Sequence, residues 1–365
     1  MISGPRQSGK TTLTKHLYAN YEYFNYDDDD DRLALKEKHW RHDVDCILFG
    51  ELHKMPEWKR WLKGIYDKEG NSPRLIVTGS ANLNTFRKVV DSLAGRYFHY
   101  RLHPLDLKEA TQLWNADSTL VFNHLIKFGG FPEPFLMADE AFYRSWQKTH
   151  LDIILRQDFL DLYSVKSIKS IEILLELLRT RVGGSVSFAN LTTDLHVDPK
   201  SVKSWLEMLE DIYAVFKVTP YHHNIARALL KEPKYYFYDI GRVADKGAKL
   251  ENLVACSLLK EIHFVEDIYG HKANLHYLRT KEGREIDFLI TINDQPCLCI
   301  EVKTSDQTVS KHFSHFKSFL GDIPCVQLVL NATREYDTAD GITVRSLIPY
   351  LAEFDLMRCV KSPTP

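Results

Sequence analysis

The sequence predicts an α/β protein, and three patterns along the chain support this fold class. Near the start, the run from Gly4 to Thr11 has the spacing G-x-x-x-x-G-K-[ST], in which a glycine-rich loop joins a strand to a helix. In the middle, two short helical patterns meet at a turn and are followed by two strand-like runs. Near the end, strand-like runs carry Asp287, Glu301 and Lys303. We therefore expect strands and helices in three consecutive parts.

The composition is that of an ordinary globular protein. Of the 365 residues, 44% are hydrophobic and 26% are charged, and the net charge is -2. This charge excludes a protein that coats nucleic acid through bulk positive charge, although a local basic patch is compatible with it. The sequence contains neither an apolar run of about 18 residues nor a signal peptide. We therefore expect no membrane partner and a cytoplasmic location.

The six cysteines show no paired C-x-x-C spacing. Cys297 and Cys299 lie two residues apart in a predicted strand, so both side chains should point to one face. We expect a buried thiol pair there rather than a metal site.

The glycine-rich loop predicts an ATP site. Its glycines let the backbone turn tightly, so that successive N–H groups point at phosphate oxygens. Lys10 is expected to reach the β- and γ-phosphates, and the Thr11 hydroxyl is an oxygen ligand suited to Mg²⁺. The alternative is a chance glycine-rich turn before a helix. The predicted cofactor-binding residues are Gly4, Pro5, Arg6, Gln7, Ser8, Gly9, Lys10, Thr11 and Thr12.

Only Met1, Ile2 and Ser3 precede this loop. Such a loop normally follows a strand that is buried on both faces. We therefore expect the first strand to be truncated, with the natural start of the chain upstream of Met1.

Two further strand ends carry candidate catalytic residues. The apolar run 43–49 is followed by Gly50 and Glu51; Glu51 is placed to activate water, while position 50 lacks the aspartate that usually holds Mg²⁺. We expect Gly50→Asp to raise ATP turnover at least about tenfold, or about 1.4 kcal/mol in barrier height. The run 74–79 ends at Ser80, which is a candidate to contact the γ-phosphate or the attacking water, or else a helix cap.

Two charged features have ordinary alternatives. The five aspartates from Asp27 to Asp31 are interpreted as a solvated loop. Arg96 follows a helical pattern. It is either an arginine finger, acting within the chain or on a neighbouring subunit, or a surface salt-bridge residue.

Five segments of the chain resemble prokaryotic AAA-type ATPases that carry a C-terminal domain of unknown function. The segments are residues 4–12, 48–58, 77–81, 93–96 and 129–133. The resemblance implies ATP and Mg²⁺ as cofactors, Ser80 as a sensor residue and Arg96 as an arginine finger. It also implies an aspartate at position 50, so Gly50 is a departure from the family. Matching residues at 250–254, 284–290 and 301–303 extend the resemblance over nearly the whole chain.

The middle of the chain predicts a winged helix. A short helix, a turn at 196–197 and a second helix capped by Asp198 match a helix-turn-helix. The runs 215–221 and 234–238 would supply the two strands of a wing. The alternative is a packing module that joins two domains, because neighbouring acidic residues dilute the positive charge. In a DNA reader, the residues facing the major groove would be Lys200, Ser201 and Lys203.

Strand-like runs near the C-terminus hold the D…E-x-K arrangement of restriction-endonuclease-like nucleases. Asp287 lies on one strand, and Glu301 and Lys303 share one face of the next. Asp287 and Glu301, with Glu251 from the preceding helix, are the predicted metal ligands, and Lys303 would orient or activate water. The alternative is a retained fold whose charged residues form a salt-bridge cluster without activity.

The expected architecture is an AAA-type ATPase domain over residues 1–134, a helical and winged-helix domain over 135–240 and a restriction-endonuclease-like α/β domain over 241–365. The expected function is Mg²⁺-dependent ATP binding and hydrolysis, coupled to a C-terminal domain that is nucleic-acid-binding or nuclease-like, with DNA as a candidate partner. The alternative is a nucleotide-gated regulatory module with little hydrolysis and no cleavage. An arginine finger acting between subunits would require a homo-oligomer.

Overall fold

The computed structural model describes residues 1–70, 72–80, 93, 95–155, 168–221, 232–305 and 308–358. Cys359 and the helix expected directly after Ser80 lie outside the described residues. The strands are β1 (Ile2–Ser3), β2 (Tyr21–Asn25), β3 (Cys46–Gly50), β4 (Arg74–Gly79), β5 (Tyr100–Arg101), β6 (Val215–Pro220), β7 (Lys234–Phe237), β8 (Ala273–Arg279), β9 (Glu285–Ile292), β10 (Gln295–Lys303), β11 (Cys325–Val329), β12 (Tyr336–Asp337) and β13 (Ile342–Ser346). The helices are α1 (Lys10–Leu17), α2 (Asp29–Glu37), α3 (Trp58–Glu69), α4 (Leu107–Trp114), α5 (Ser118–Phe128), α6 (Pro132–Met137), α7 (Glu140–Ile153), α8 (Ile168–Arg179), α9 (Phe188–Leu195), α10 (Pro199–Asp211), α11 (Lys246–Tyr269), α12 (His312–Leu320) and α13 (Leu347–Ala352).

The chain divides into two compact units that interleave along the sequence. Unit 1 comprises Met1–Pro104, Ser145–Ile168 and Met208–Ala214. Unit 2 comprises Leu105–Arg144, Lys169–Glu207 and Val215–Pro365. The division into three consecutive domains stays a prediction.

Unit 1 contains a parallel sheet of five strands in the order β2-β3-β4-β1-β5. Although β1 has only two residues, it lies inside the sheet, because Ile2 is in register with Thr78 on one side and Tyr100 on the other. All five residues of β3 are buried, as expected for an interior parallel strand. Since the strands are parallel, their carboxyl ends share one edge of the sheet. Polar groups that follow β1, β3 and β4 are thereby collected at that edge.

The aspartate run begins a helix. Asp28 is the N-cap of α2, and its carboxylate accepts hydrogen bonds from the backbone N–H groups of Asp30 and Asp31. Three more aspartates occupy the first turn, where negative charge stabilises the helix dipole. The predicted loop is therefore wrong for Asp29 to Asp31, whereas Asp27 and Asp28 lie in an exposed turn before the helix. The helix lies against an aromatic-rich core whose members include Phe24, Leu35, Trp40, Phe49 and Trp58.

Unit 2 contains a mixed sheet of eight strands in the order β12-β13-β11-β10-β9-β8-β6-β7. Its centre is the antiparallel meander β8-β9-β10, which confirms the predicted run of three strands. The two strands expected to form a wing, β6 and β7, pair antiparallel with each other. They also belong to this larger sheet, because Thr219 and Pro220 of β6 pair with β8.

The predicted helical hairpin is present as α9 and α10. His196, at φ 52°, ends α9 in a left-handed conformation. Asp198 then caps α10, because its carboxylate accepts hydrogen bonds from the backbone N–H groups of Lys200 and Ser201 and from the Ser201 hydroxyl. In the described part of the chain, no helix is long and apolar enough to cross a bilayer.

The buried thiols differ from the expectation. Cys299 is buried and is in register with buried Cys325 on β11, whereas Cys297 is only partly buried. A register shift between Pro296 and Leu298 interrupts the alternation of β10 at this point. The expected pair Cys297–Cys299 is thus replaced by neighbours on two strands.

Candidate functional site

The loop after β1 has the backbone shape of a phosphate-binding loop. Gly4 has φ 151°, and a Cβ added there would lie 2.1 Å from the Leu102 carbonyl oxygen, so the position admits only glycine. Gly9 has φ 93° and is the N-cap of α1. Gln7 also lies in the left-handed region, at φ 62°. The two glycines of the motif are therefore required by close approach and by turn geometry.

The polar groups of this loop fit a polyphosphate. The Lys10 side chain is buried, and its Nζ donates hydrogen bonds to the carbonyl oxygens of Gly4 at 2.9 Å and Pro5 at 2.6 Å. The Ser8 Oγ is buried and has no hydrogen-bond partner among the described residues. The first turn of α1 carries no acidic side chain, so its positive end is not neutralised from within.

Glu51 and Ser80 are brought together at the same sheet edge. The Ser80 hydroxyl donates a hydrogen bond of 3.1 Å to Glu51 Oε2. The Nδ1 atom of His53 lies 3.7 Å from the same oxygen. Burial lowers the pKa of His53, which keeps the ring neutral near pH 7. The Ser80 hydroxyl and a neutral imidazole thus lie beside the same oxygen of Glu51.

Position 50 is closed by a tyrosine. A Cβ added to Gly50 would lie 2.6 Å from the Tyr23 hydroxyl oxygen and 3.2 Å from two of its ring atoms. Contacts of a real Cβ below 3.0 Å are essentially never seen. An aspartate at position 50 therefore requires Tyr23 to move. The predicted rise in ATP turnover of Gly50→Asp depends on that movement. The sequence pattern gave no sign of Tyr23.

Arg96 is engaged on the surface of unit 1. Its Nε donates a hydrogen bond of 3.2 Å to Asp67 Oδ1 on α3. The two side chains are 37% and 47% exposed, which makes this a solvated ion pair of small energetic weight. The role of Arg96 as an arginine finger stays a prediction.

Two residues far along the chain form hydrogen bonds with β1 and the phosphate-binding loop that follows it. His150 of α7 donates a hydrogen bond from Nε2 to the Arg6 carbonyl oxygen at 3.2 Å, and its ring stacks on Trp146 at 4.4 Å. The Tyr213 hydroxyl, just after α10, is hydrogen-bonded to Ser3 Oγ at 2.7 Å. Neither residue is predicted from the sequence, because spacing alone does not relate positions this far apart.

The C-terminal carboxylates surround a buried lysine. The Lys234 side chain is 0% exposed, and its Nζ lies 2.6 Å from Glu285 Oε1, 3.2 Å from Glu251 Oε1 and 4.0 Å from Asp287 Oδ1. Burial alone would lower the pKa of Lys234, but the surrounding carboxylates outweigh it and raise the pKa. Lys234 stands in a run of buried aromatic residues, where a lysine is a signal of carboxylate partners.

The D…E-x-K residues are adjacent on neighbouring strands. Lys303 Nζ lies 2.6 Å from Glu301 Oε1, and the Asp287 carboxylate accepts a hydrogen bond of 2.8 Å from the Val302 N–H. Among the described residues, no three side chains of the metal-binding types are arranged to hold an ion. The predicted metal set of Glu251, Asp287 and Glu301 stays a prediction, and in this structure the Lys234 ammonium supplies positive charge between Glu251 and Asp287.

Two carboxyl groups of this cluster hold their protons more tightly than usual. Burial, followed by the charge of Asp287, raises the pKa of both Glu251 and Glu301 to about 7. Burial also raises the pKa of Asp287, against the opposing effect of Lys234. Near neutral pH, Glu251 and Glu301 are therefore each only partly ionised. Strongly shifted pKa values of this kind are frequent at functional sites.

Comparisons with known proteins agree with the geometry of the N-terminal site. Residues 1–111 match the model of an AAA domain, residues 120–246 that of a domain of unknown function (DUF8612), and residues 246–350 that of a second one (DUF4143). The first and last matches support an AAA-type ATPase family with a DUF4143 domain, and they indicate a nucleotide-binding, ATPase-like function.

Relatives come from an archaeon and a bacterium. An uncharacterized protein of Methanocaldococcus jannaschii is 24% identical over 363 residues, which cover 88% of this chain and 79% of the relative. An uncharacterized protein of Mycobacterium tuberculosis is 23% identical over 346 residues, which cover 90% of this chain and 75% of the relative. The similarity thus extends over both units.

Proposed function

We propose that this protein binds ATP with Mg²⁺, hydrolyses it slowly, and uses nucleotide occupancy as a switch. The observation that carries the proposal is the combination at one sheet edge. An intact phosphate loop with Lys10 and a paired Glu51–Ser80 lie beside a position, Gly50, that has no carboxylate.

The chain's own residues have separate tasks in this reaction. Backbone N–H groups of the loop and Lys10 bind the phosphates, and Thr11 would hold the metal ion. Mg²⁺, when bound, would offset the negative charge of the phosphate oxygens. Glu51 Oε2 accepts the hydrogen bond of Ser80 and leaves its other oxygen for the attacking water, whose proton it takes.

Slow turnover follows from the missing carboxylate. Without an acidic side chain at position 50, the metal would be held by Thr11, phosphate oxygens and water. Loss of one charged partner of the ion costs at least about tenfold in rate, or about 1.4 kcal/mol. ATP binding depends mainly on the phosphate-binding loop and Lys10, so it does not require a carboxylate at position 50.

The two long-range contacts to β1 and the phosphate-binding loop support the switch. His150 supports the Arg6 carbonyl group, and Tyr213 contacts Ser3 directly before the loop. Tyr213 follows α10, the second helix of the helix-turn-helix. A change of loop shape on nucleotide binding would therefore reach α7 through His150 and the end of α10 through Tyr213.

Nucleotide titration tests the proposal. A fluorescent ATP analogue is titrated into the wild type, Lys10→Ala and Lys36→Ala, where Lys36 is an exposed lysine of α2 and serves as the matched control. We expect Lys10→Ala to weaken binding at least about tenfold, since it removes a charged phosphate contact, and Lys36→Ala to leave it unchanged. Equal affinity of the wild type and Lys10→Ala would reject the proposal.

For the C-terminal part, we propose a restriction-endonuclease-like fold that does not cleave. The placement of Asp287, Glu301 and Lys303 on adjacent strands supports the fold, and the buried Lys234 ammonium argues against a metal between the carboxylates. The test is incubation with DNA and Mg²⁺ or Mn²⁺, with Asp287→Ala and Lys303→Ala as controls. Cleavage by the wild type that both variants lose would overturn this part of the proposal.

DNA contact and assembly are further parts of the proposal. Lys200 and Lys203 are exposed on α10, but Lys203 Nζ lies 3.8 Å from Glu207, which weakens the local positive field. A filter-binding titration of the wild type and Lys200→Ala measures any DNA affinity.

An arginine finger acting between subunits would require a homo-oligomer. The mass measured by light scattering would then rise with ATP, and Arg96→Ala would lower ATP turnover.

A further inference from the structure

Tyr23 stands where the side chain of residue 50 would be. Its hydroxyl oxygen lies 2.6 Å from the place of a Cβ on Gly50, closer than two unbonded heavy atoms of this kind can approach. On the sheet, Tyr23 of β2 is in register with Leu48 of β3, two residues before Gly50. The ring therefore leans along the strand toward the end of β3, where the nucleotide site lies.

The P-loop helix holds the other side of this ring. Lys15 Nζ lies 3.9 Å from the centre of the Tyr23 ring, and the Thr11 side chain, as a hydrogen-bonding neighbour of the hydroxyl, lowers the pKa of Tyr23. Thr11 and Lys15 are four residues apart on α1, so they occupy one helix face. Tyr23 thus contacts α1 through both its ring and its hydroxyl.

The strand that carries Tyr23 is fixed in place. Phe24, the next residue, points to the opposite face of β2 and stacks on Phe49 at 6.3 Å in the aromatic core. This anchoring limits the freedom of Tyr23 to swing away from Thr11.

Acidic side chains surround the Tyr23 hydroxyl. Burial, and then the charges of Glu51, Asp31 and Asp27, raise the pKa of Tyr23. The hydroxyl can donate one hydrogen bond and accept another.

We infer that Tyr23 takes over the place of the carboxylate absent at residue 50, and that its hydroxyl orients the Thr11 hydroxyl for Mg²⁺. The inference rests on the proposed function, in which Thr11 serves the metal bound with ATP. Gly50 and Tyr23 then form a matched pair, since the hydroxyl needs the space that glycine leaves. The site carries one negative charge fewer than a site with an aspartate.

The test separates metal from nucleotide. The dissociation constant of a fluorescent ATP analogue is measured in excess Mg²⁺ and in EDTA, and their ratio gives the affinity gained from Mg²⁺. We expect Tyr23→Phe to lower this gain roughly three- to tenfold, the effect of one hydrogen bond, while affinity in EDTA changes less than about twofold. The matched control is Tyr21→Phe, a half-buried tyrosine of the same strand.

A second pair of variants tests whether the Tyr23 hydroxyl and an aspartate at position 50 can replace each other. We expect Gly50→Asp alone to weaken ATP binding, because the new side chain meets the Tyr23 hydroxyl. In Tyr23→Phe/Gly50→Asp the hydroxyl is gone, and the gain from Mg²⁺ should exceed that of the wild type, since a carboxylate attracts the ion more than a phenol.

The outcomes separate the two proposals. Wild-type binding with an unchanged Mg²⁺ gain in Tyr23→Phe would overturn the inference alone. Absence of ATP binding by the wild type in both buffers would overturn the proposed function and the inference together.

Discussion

The Ser80 hydroxyl donates a hydrogen bond of 3.1 Å to Glu51 Oε2, which joins the ends of two neighbouring parallel strands. The two positions are 29 residues apart. They meet because Gly50 is in register with Thr78, so β3 and β4 end at the same level. The hydrogen bond fixes one oxygen of Glu51, and the orientation of the carboxylate therefore depends on Ser80.

Ser80→Ala should reduce ATP turnover without weakening ATP binding. A hydrogen bond to a charged acceptor contributes about 1.5–3 kcal/mol, so we expect a loss of roughly ten- to a hundredfold in kcat. The dissociation constant for ATP should change less than about twofold, because Glu51 acts on the attacking water. Steady-state hydrolysis and nucleotide titration measure the two quantities.

Glu51→Gln and Ser314→Ala are the comparisons for this variant. Glu51→Gln removes the base and should lower kcat at least as far as Ser80→Ala, and the double variant should add little to either. Ser314→Ala changes an exposed serine of α12 in unit 2 and should behave as the wild type. Full additivity of the Glu51 and Ser80 effects would contradict a shared role.

Lys234→Met should strongly destabilise the protein. It leaves the partly buried carboxylates of Glu251, Glu285 and Asp287 without their central cation, at a cost of about 3 kcal/mol near pH 7.5. Urea unfolding followed by circular dichroism measures this loss. At pH 5 the loss should be smaller, because carboxyl groups with raised pKa values are then protonated.

The control for this prediction is Lys272→Met. Lys272 pairs with Asp294 at 2.6 Å, but both side chains are more than half exposed. Removing such a pair costs less than about 1 kcal/mol. Equal destabilisation by the two substitutions would refute the role given to the buried lysine.

Stability should fall as the pH rises from about 4.5 to 7. Glu251 and Glu301 have a folded-state pKa of about 7, above the ordinary value of 4.5, so the folded protein binds more protons than the unfolded chain in this range. Their contribution is complete below pH 4.5 and is lost as the pH passes 7, with a size on the order of 3 kcal/mol for each group.

Glu301→Gln isolates this effect. The amide cannot ionise, so the variant should lose less stability than the wild type between pH 5 and 8. Glu353→Gln, at an exposed position, is the control and should keep the wild-type profile. Parallel curves of unfolding free energy against pH for Glu301→Gln and the wild type would exclude Glu301 as a source of the pH dependence.

Residues that act through local spacing could be predicted, and residues that act through the fold could not. The loop around Lys10 and the pair Asp287–Glu301 follow from motif spacing and strand alternation. Tyr23 and Lys234 could not be assigned in this way, because their partners come from other strands and helices. The loop predicted over the acidic run is wrong for Asp29 to Asp31, because aspartates suit the first turn and the N-cap of a helix as well as a loop.

Contacts from His150 and Tyr213 should stabilise the nucleotide-binding shape of the loop. His150→Ala removes the hydrogen bond to the Arg6 carbonyl oxygen, and Tyr213→Phe removes the one to Ser3 Oγ. Each loss, at about 1 kcal/mol, should weaken ATP binding roughly fivefold, and hydrogen exchange of loop amides should speed up. Because the two contacts share no partner, their effects should be about additive. Thr149→Ala, next to His150 and exposed, should change neither quantity. Unaltered affinity and exchange in both His150→Ala and Tyr213→Phe would rule out this role of the two contacts.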